Sequence, residues 1–222
     1  MKKIFFLLAW IPVCSGLFIG FARGDDFQLW TELKYQHAFK GTPFEIQWST
    51  ENRFRNDATD YFLFNTTTTF FYKPFSWLSS GFGYRFEMQE PAKGGEFRKE
   101  NRLRPQFEVD LPLGPLHIKN RNMFEFRFFS DPYDFRFRYR SRFRIERPFK
   151  TSPVSFTPYV SEEFFVETGR GLNQNRIIAG NSFGFFKNHV SFDLYYLLRR
   201  DKETSGGWST ANVLGTSLGF KY

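Results

Sequence analysis

From Asp134 to Glu146 the chain reads D-F-R-F-R-Y-R-S-R-F-R-I-E, with a charge at every even position and Phe, Tyr or Ile at five of the six positions between. Five of those charges are arginines. A guanidinium is a planar fork of donors that suits carboxylate and phosphate, so such a row either binds anions or pairs with acidic side chains. Asn101-Arg102-Leu103-Arg104 and Arg121 carry the same group at strand spacing. Arg102, Arg104, Arg121, Arg136, Arg138, Arg140, Arg142 and Arg144 are therefore the candidate anion-binding residues. His189-Val190-Ser191 places a base and a hydroxyl two residues apart, hence on one face of a strand. It follows a tight turn and shares its face with Asp193, which reads as an ordinary polar surface. Glu162 and Glu163 are neighbours and would face opposite ways on a strand, so they form no acid/base pair; a local bulge is the expected reason both are tolerated. No metal-ligand spacing, Gly-rich phosphate loop or cysteine-based site occurs. No catalytic residue, metal or cofactor is assigned, and the chain reads as a non-enzyme.

A period of two sorts residues cleanly only on an extended strand, so the arginine row lies on a strand with one apolar and one charged face. A soluble β-sandwich would bury the aromatics, whereas a membrane barrel would give them to lipid and turn the arginines into its lumen. Composition favours the barrel: 33 of 222 residues are Phe and 22% are aromatic. Mean hydropathy is nevertheless −0.46, and after the first 24 residues no segment is continuously apolar. A transmembrane helix is thereby excluded, while a barrel hiding its hydrophobicity at alternate positions is not.

Met1-Lys2-Lys3 followed by the apolar stretch Ile4 to Phe21, with small residues at Gly20, Ala22 and Gly24, is expected to be a cleaved secretory signal peptide over residues 1–24. The barrel would then occupy residues 25–222. Cys14 is the only cysteine, so the mature chain would have none. Loss of Lys2, Lys3 and Arg23 takes the net charge from +8 to +5.

Eleven alternating segments follow: 27–39, 43–55, 60–73, 77–90, 96–110, 115–129, 134–147, 154–168, 172–186, 188–200 and 208–222. Most run 13 to 15 residues, against about 5 or 6 for a soluble strand. Tilted near 40°, such a strand rises on the order of 30 Å, a bilayer's hydrocarbon thickness. Tight turns (Lys40 to Pro43, Lys73-Pro74, Leu113 to Pro115, Lys187-Asn188) broadly alternate with longer polar ones (Glu90 to Glu96, Thr168 to Leu172, Asp201 to Gly207). That is the signature of an antiparallel meander. With both termini on the periplasmic side the strand number should be even, so the expectation is 10 to 12 strands, with 12 favoured.

The last segment ends on Phe220 and Tyr222, aromatic at even positions. This resembles the C-terminal signal of bacterial outer-membrane barrels, which barrel-assembly machinery reads. Turning the aromatics toward lipid sends inward 11 basic and 6 acidic residues of the fifth to seventh segments. An open lumen so lined would draw in small anionic solutes. The same arginines could instead pair across a lumen about 20–25 Å wide as a salt-bridged plug. Nucleic acid is a poor partner despite a pI near 9.6, because the barrel would enclose the arginines.

Trp30-Thr31-Glu32, Glu51-Asn52-Arg53-Phe54, Asn101-Arg102-Leu103-Arg104, Arg138-Tyr139-Arg140, Ser161-Glu162-Glu163-Phe164-Phe165, Asn175-Arg176 with Gly180, Tyr195-Tyr196 and Asn212-Val213-Leu214-Gly215 occur in this order. Together they resemble the bacterial family catalogued as domain of unknown function 2490. That resemblance implies an outer-membrane β-barrel and no settled activity. In length, lack of cysteine and an arginine-lined interior the chain also resembles the small monomeric porins for acidic oligosaccharides, and His189-Val190-Ser191 resembles the nucleophile and base of outer-membrane lipid hydrolases. The expected role is thus a small anion-preferring channel in the bacterial outer membrane. The alternatives are an outer-membrane lipid hydrolase and a soluble secreted β-sandwich binding protein.

Overall fold

The computed structural model describes residues 26–91, 93–130, 132–150 and 153–222. The expected leader and its cleavage site lie outside them. The strands are β1 (Asp26–Ala38), β2 (Phe44–Arg55), β3 (Asp60–Phe75), β4 (Leu78–Gln89), β5 (Arg98–Leu113), β6 (Leu116–Ser130), β7 (Tyr133–Glu146), β8 (Phe149–Lys150), β9 (Ser155–Glu167), β10 (Gly171–Phe185), β11 (Val190–Lys202) and β12 (Trp208–Lys221). All but the two-residue β8 are long, and they coincide within a few residues with the eleven segments read from the alternation. Each long strand pairs antiparallel with the next, and β12 closes on β1. The result is one closed barrel. A two-sheet sandwich does not form.

The seam corrects the strand count. β1 and β12 run parallel, in register from Asp26 opposite Ala211 to Gln36 opposite Lys221. An all-antiparallel ring needs an even number of strands, but a parallel ladder also satisfies the edge N–H and C=O groups, so eleven long strands suffice and the favoured twelve does not occur. A second expectation falls with it: the chain enters β1 at one rim and leaves β12 at the other, so the two ends do not share a side. Among the described residues, the first rim holds Asp26, 56–59, 90–91, 93–97, Pro132, 168–170 and 203–207; the second holds 39–43, 76–77, 114–115, 147–150, 153–154, 186–189 and Tyr222.

Alternation sorts the faces as expected. Phe82, Phe107, Phe135, Phe143, Leu214 and Leu218 are exposed on the outside, while Arg102, Glu125, Glu163, Val213 and Ser217 are buried within. At the end of the seam the Tyr222 N–H donates to the Gln36 carbonyl at 3.0 Å, and its own carbonyl accepts from the Ala38 N–H at 2.8 Å. The Tyr222 ring stacks on Tyr35 with centroids 6.0 Å apart. Changing Phe220 and Tyr222 together to Ser should therefore lower the yield of assembled barrel several-fold, whereas Lys221→Ser should leave it near wild type, because only the even positions lie on the outer face. Heat-modifiable mobility in gels of the membrane fraction reads the assembled form. Equal losses from the two changes would overturn the register.

Candidate functional site: the charged lumen

The inward side chains fall into rows set by register across β5, β6, β7 and β9. One row is Glu108, Arg121, Arg142 and Glu163; the next toward the second rim is Asp110, Lys119, Arg144 and Ser161. Contacts run mostly along a strand or on diagonals, because the long side chains lean along the strand direction. Two carboxylates act as hubs. Glu125 on β6 is fully buried and takes Arg138 at 2.5 Å, Arg140 at 2.8 Å and Arg104 at 3.3 Å. Glu163 on β9 takes Arg121 and Arg140, each at 2.9 Å, with Arg176 at 3.7 Å. Toward the first rim Arg102 bonds Glu87 and Glu100, and Arg127 bridges Glu100 at 2.7 Å to Glu167 at 2.6 Å.

Apolar side chains share this interior. Trp30, Tyr159, Ile178, Leu197 and Val213 form one buried cluster with Tyr195 packed on it. The Tyr195 ring lies directly over Gly215, where an added Cβ would meet it at 2.0 Å, so a larger residue there would have to displace the ring. Arginines cover the cluster. The Arg53 guanidinium lies 3.6 Å over Trp30, Arg144 3.6 Å over Tyr159, and Arg140 and Arg176 each 4.6 Å from the Phe165 centroid. Cation–π stacking on desolvated rings is worth about 1–2 kcal/mol each, so these arginines are held by packing as well as by charge.

The filling is uneven along the axis. At the first rim Gln28, Phe62, Leu63, Glu90 and Phe129 are all buried. Arg55 grips Glu90 at 2.5 Å, and Arg98 lies 4.1 Å over Phe129. From the inner side of this layer, at Phe62, Leu63 and Gln89, a cavity of about 600 Å³ runs along the lumen to Phe75 and Trp77 at the second rim. Its wall carries 15 lysines and arginines against 8 carboxylates. Glu125 and Glu100 are absent from that wall because the packed part encloses them. A second hollow of about 450 Å³ at the same end is lined by Lys34, Lys119, Arg142, Arg144, Glu108 and Glu146 among others.

The structure thus separates the eight candidate arginines. Arg102, Arg104, Arg121, Arg138 and Arg140 converge on the buried carboxylates already described. Arg136 sits at the first rim on Asp134 at 2.7 Å and Glu167 at 3.5 Å. Arg144 pairs with Glu146 at 2.6 Å. Arg142 has no carboxylate within ion-pair distance among the described residues. Sequence reasoning missed the inward apolar cluster on which Arg53 and Arg176 pack. Its parity was the available signal: Trp30 shares a face with Glu32 and Lys34, and Leu197 with Asp193 and Arg199.

The remaining sequence candidates are placed as follows. His189 is exposed at the second rim and donates from Nδ1 to the Lys221 carbonyl at 2.8 Å. Ser191 instead lies beside Gly219, where an added Cβ would meet its Oγ at 2.4 Å. Glu162 and Glu163 are both in regular register with β7 and β10, so the expected bulge is absent. Glu162 projects outward and accepts a hydrogen bond from Asn175 Nδ2 at 2.9 Å; Asn175 thus supplies a donor to a carboxylate on the aromatic face. Among the described residues no group of three or more His, Cys, Asp or Glu is arranged to hold a metal ion.

Fold and interior together define a small closed β-barrel, aromatic outside and charged within. The chain belongs to the family described as protein of unknown function (DUF2490), whose model matches residues 27–210. Among solved structures, LpxR from Salmonella typhimurium is similar in fold, with a TM-score of 0.52 and 9% sequence identity over 80% of this chain and 83% of that chain. No curated protein matches.

Proposed function

We propose that the protein is an outer-membrane β-barrel whose lumen works as a closed-ended cationic vestibule, admitting small anionic solutes from one rim without conducting them through. The unequal lining of the cavity carries this reading: lysines and arginines outnumber carboxylates almost two to one on its wall, while Glu100 and Glu125, which balance central arginines, lie outside it. Such a wall raises the local anion concentration. The packed layer at the first rim, with Gln28, Glu90 and Phe129 outside the cavity wall, withholds the continuous water path that conduction needs. The outer location is supported by the closed belt of exposed aromatics, since soluble monomers rarely leave an apolar patch larger than a few hundred Å² uncovered. Lipid would cover that belt, and barrel-assembly machinery would place it there. On this reading the protein is not an enzyme. The pair His189 and Ser191 is a poor base and nucleophile, because the ring nitrogen nearest the chain is held by a backbone carbonyl and the hydroxyl is turned to the lumen side.

Purified protein in planar bilayers should show no unit conductance under a salt gradient, and should leave outer membranes only in detergent. Steady anion-selective steps would replace the vestibule by a channel. Solubility without detergent would remove the membrane reading.

A further inference from the structure

Arg121 on β6 and Arg142 on β7 are direct register partners. Like charges placed opposite each other on adjacent strands repel, and the repulsion is stronger where water is scarce. Arg121 is relieved by Glu163 at 2.9 Å. Arg142 is not, although Glu163 is its own partner on β9: the Glu163 oxygens already take Arg121, Arg140 and Arg176. The other acids around these hollows do not neutralise it either: Glu146 takes Arg144 and Lys119, and Glu32 takes Lys34 at 2.9 Å. Glu108 stands opposite Arg121, one strand further away, and Asp193 accepts the Ser182 hydroxyl. Arg142 is half-buried and lines both hollows, and Lys34 faces the same two spaces. Across the row, Arg121 keeps a buried Nε without a hydrogen-bond partner. A half-buried guanidinium with free donors, beside a second one under-supplied with acceptors, is costly unless an anion from outside completes it.

We propose that Arg142, with Arg121 opposite it and Lys34 beside the same space, forms a binding site for the oxyanion of a small phosphate-bearing solute. Resting on the vestibule reading, it names the residue that captures what enters. A phosphate presents three acceptor oxygens to the planar forks and matches their spacing better than a monatomic ion. The surroundings are polar, lined by Gln36, Gln47, Thr157 and Ser182, which favours a free hydrophilic solute over a lipid headgroup trailing acyl chains.

The test is calorimetric titration of the full-length barrel in a maltoside detergent with inorganic phosphate, at constant ionic strength made up with chloride. Arg142→Gln should weaken phosphate about tenfold or more, the loss of at least one charge-assisted hydrogen bond. Glu108→Gln should tighten it several-fold by removing the nearest unpaired acid. Arg200→Gln, a change on the outer face, should do nothing. A parallel arm titrates phosphatidylglycerol in mixed micelles. Binding there that depends on Arg142, with none for inorganic phosphate, would overturn the free solute. Phosphate affinity unchanged in both the Arg142 and Glu108 variants would overturn the site, even if Arg142→Gln folds poorly, because Glu108→Gln reads the same field independently. Conductance by the wild-type barrel would refute the closed end while leaving the phosphate result to stand or fall on its own.

Discussion

Replacing Glu125 by Ala should cost the barrel about 3–5 kcal/mol, the range found when one partner of a buried ion pair is removed. The carboxylate is fully buried and is the shared acceptor of Arg104, Arg138 and Arg140. Without it Arg104 and Arg138 have no carboxylate left among the contacts described, while Arg140 keeps only Glu163 at 2.9 Å. Reversible urea unfolding in lipid vesicles, followed by tryptophan emission, measures the loss. The acid of least consequence makes the comparison: Glu162→Ala on the outer face should change stability by about 0.5 kcal/mol or less. Similar costs at the two positions would mean that Glu125 is not a hub and that the lumen is wet enough to solvate stranded arginines.

The second large effect is on permeation. Changing Arg138, Arg140 and Arg142 together to Gln removes three guanidinium groups from the middle of β7 and withdraws charge partners from both hubs. Stability should fall by about 3 kcal/mol or more, and with the braces of both hubs gone the closing layer should loosen, so that a barrel that passes no current begins to conduct. The opened path should still prefer anions, because Arg104, Arg121 and Arg176 remain beside Glu125 and Glu163. Planar-bilayer recordings with a salt gradient give both the conductance and the sign of the reversal potential. A wild-type protein that already conducts, with the triple change shifting only its reversal potential, would mean an open basic pore. A triple variant as stable and as silent as wild type would mean that these arginines neither brace nor block.

The opposing faces of every long strand were legible in the chain because alternation is a property of neighbours: once Arg136 points one way, Phe137 must point the other, whatever the rest of the protein does. For the same reason the inward placement of Arg102 to Arg104, Arg121 and Arg136 to Arg144 could be read directly, as could the outward Phe220 and Tyr222. Even the inward Trp30 and Leu197 were marked by parity, though apolar character argued the other way. Closure was different. Whether β12 meets β1 parallel or antiparallel depends on two segments nearly the whole chain apart, and the backbone hydrogen bonds are satisfied either way. Pairing inside the lumen was equally out of reach. The sequence by itself determined that eight arginines face one enclosed space; only register, side-chain lean and the competition of Arg121, Arg140 and Arg176 for Glu163 decided that seven would be neutralised and that Arg142 would be left facing the vestibule. Charge balance in a low-dielectric space is a property of the three-dimensional set of neighbours, and a linear pattern carries no information about which of several equivalent cations arrives first at a shared carboxylate.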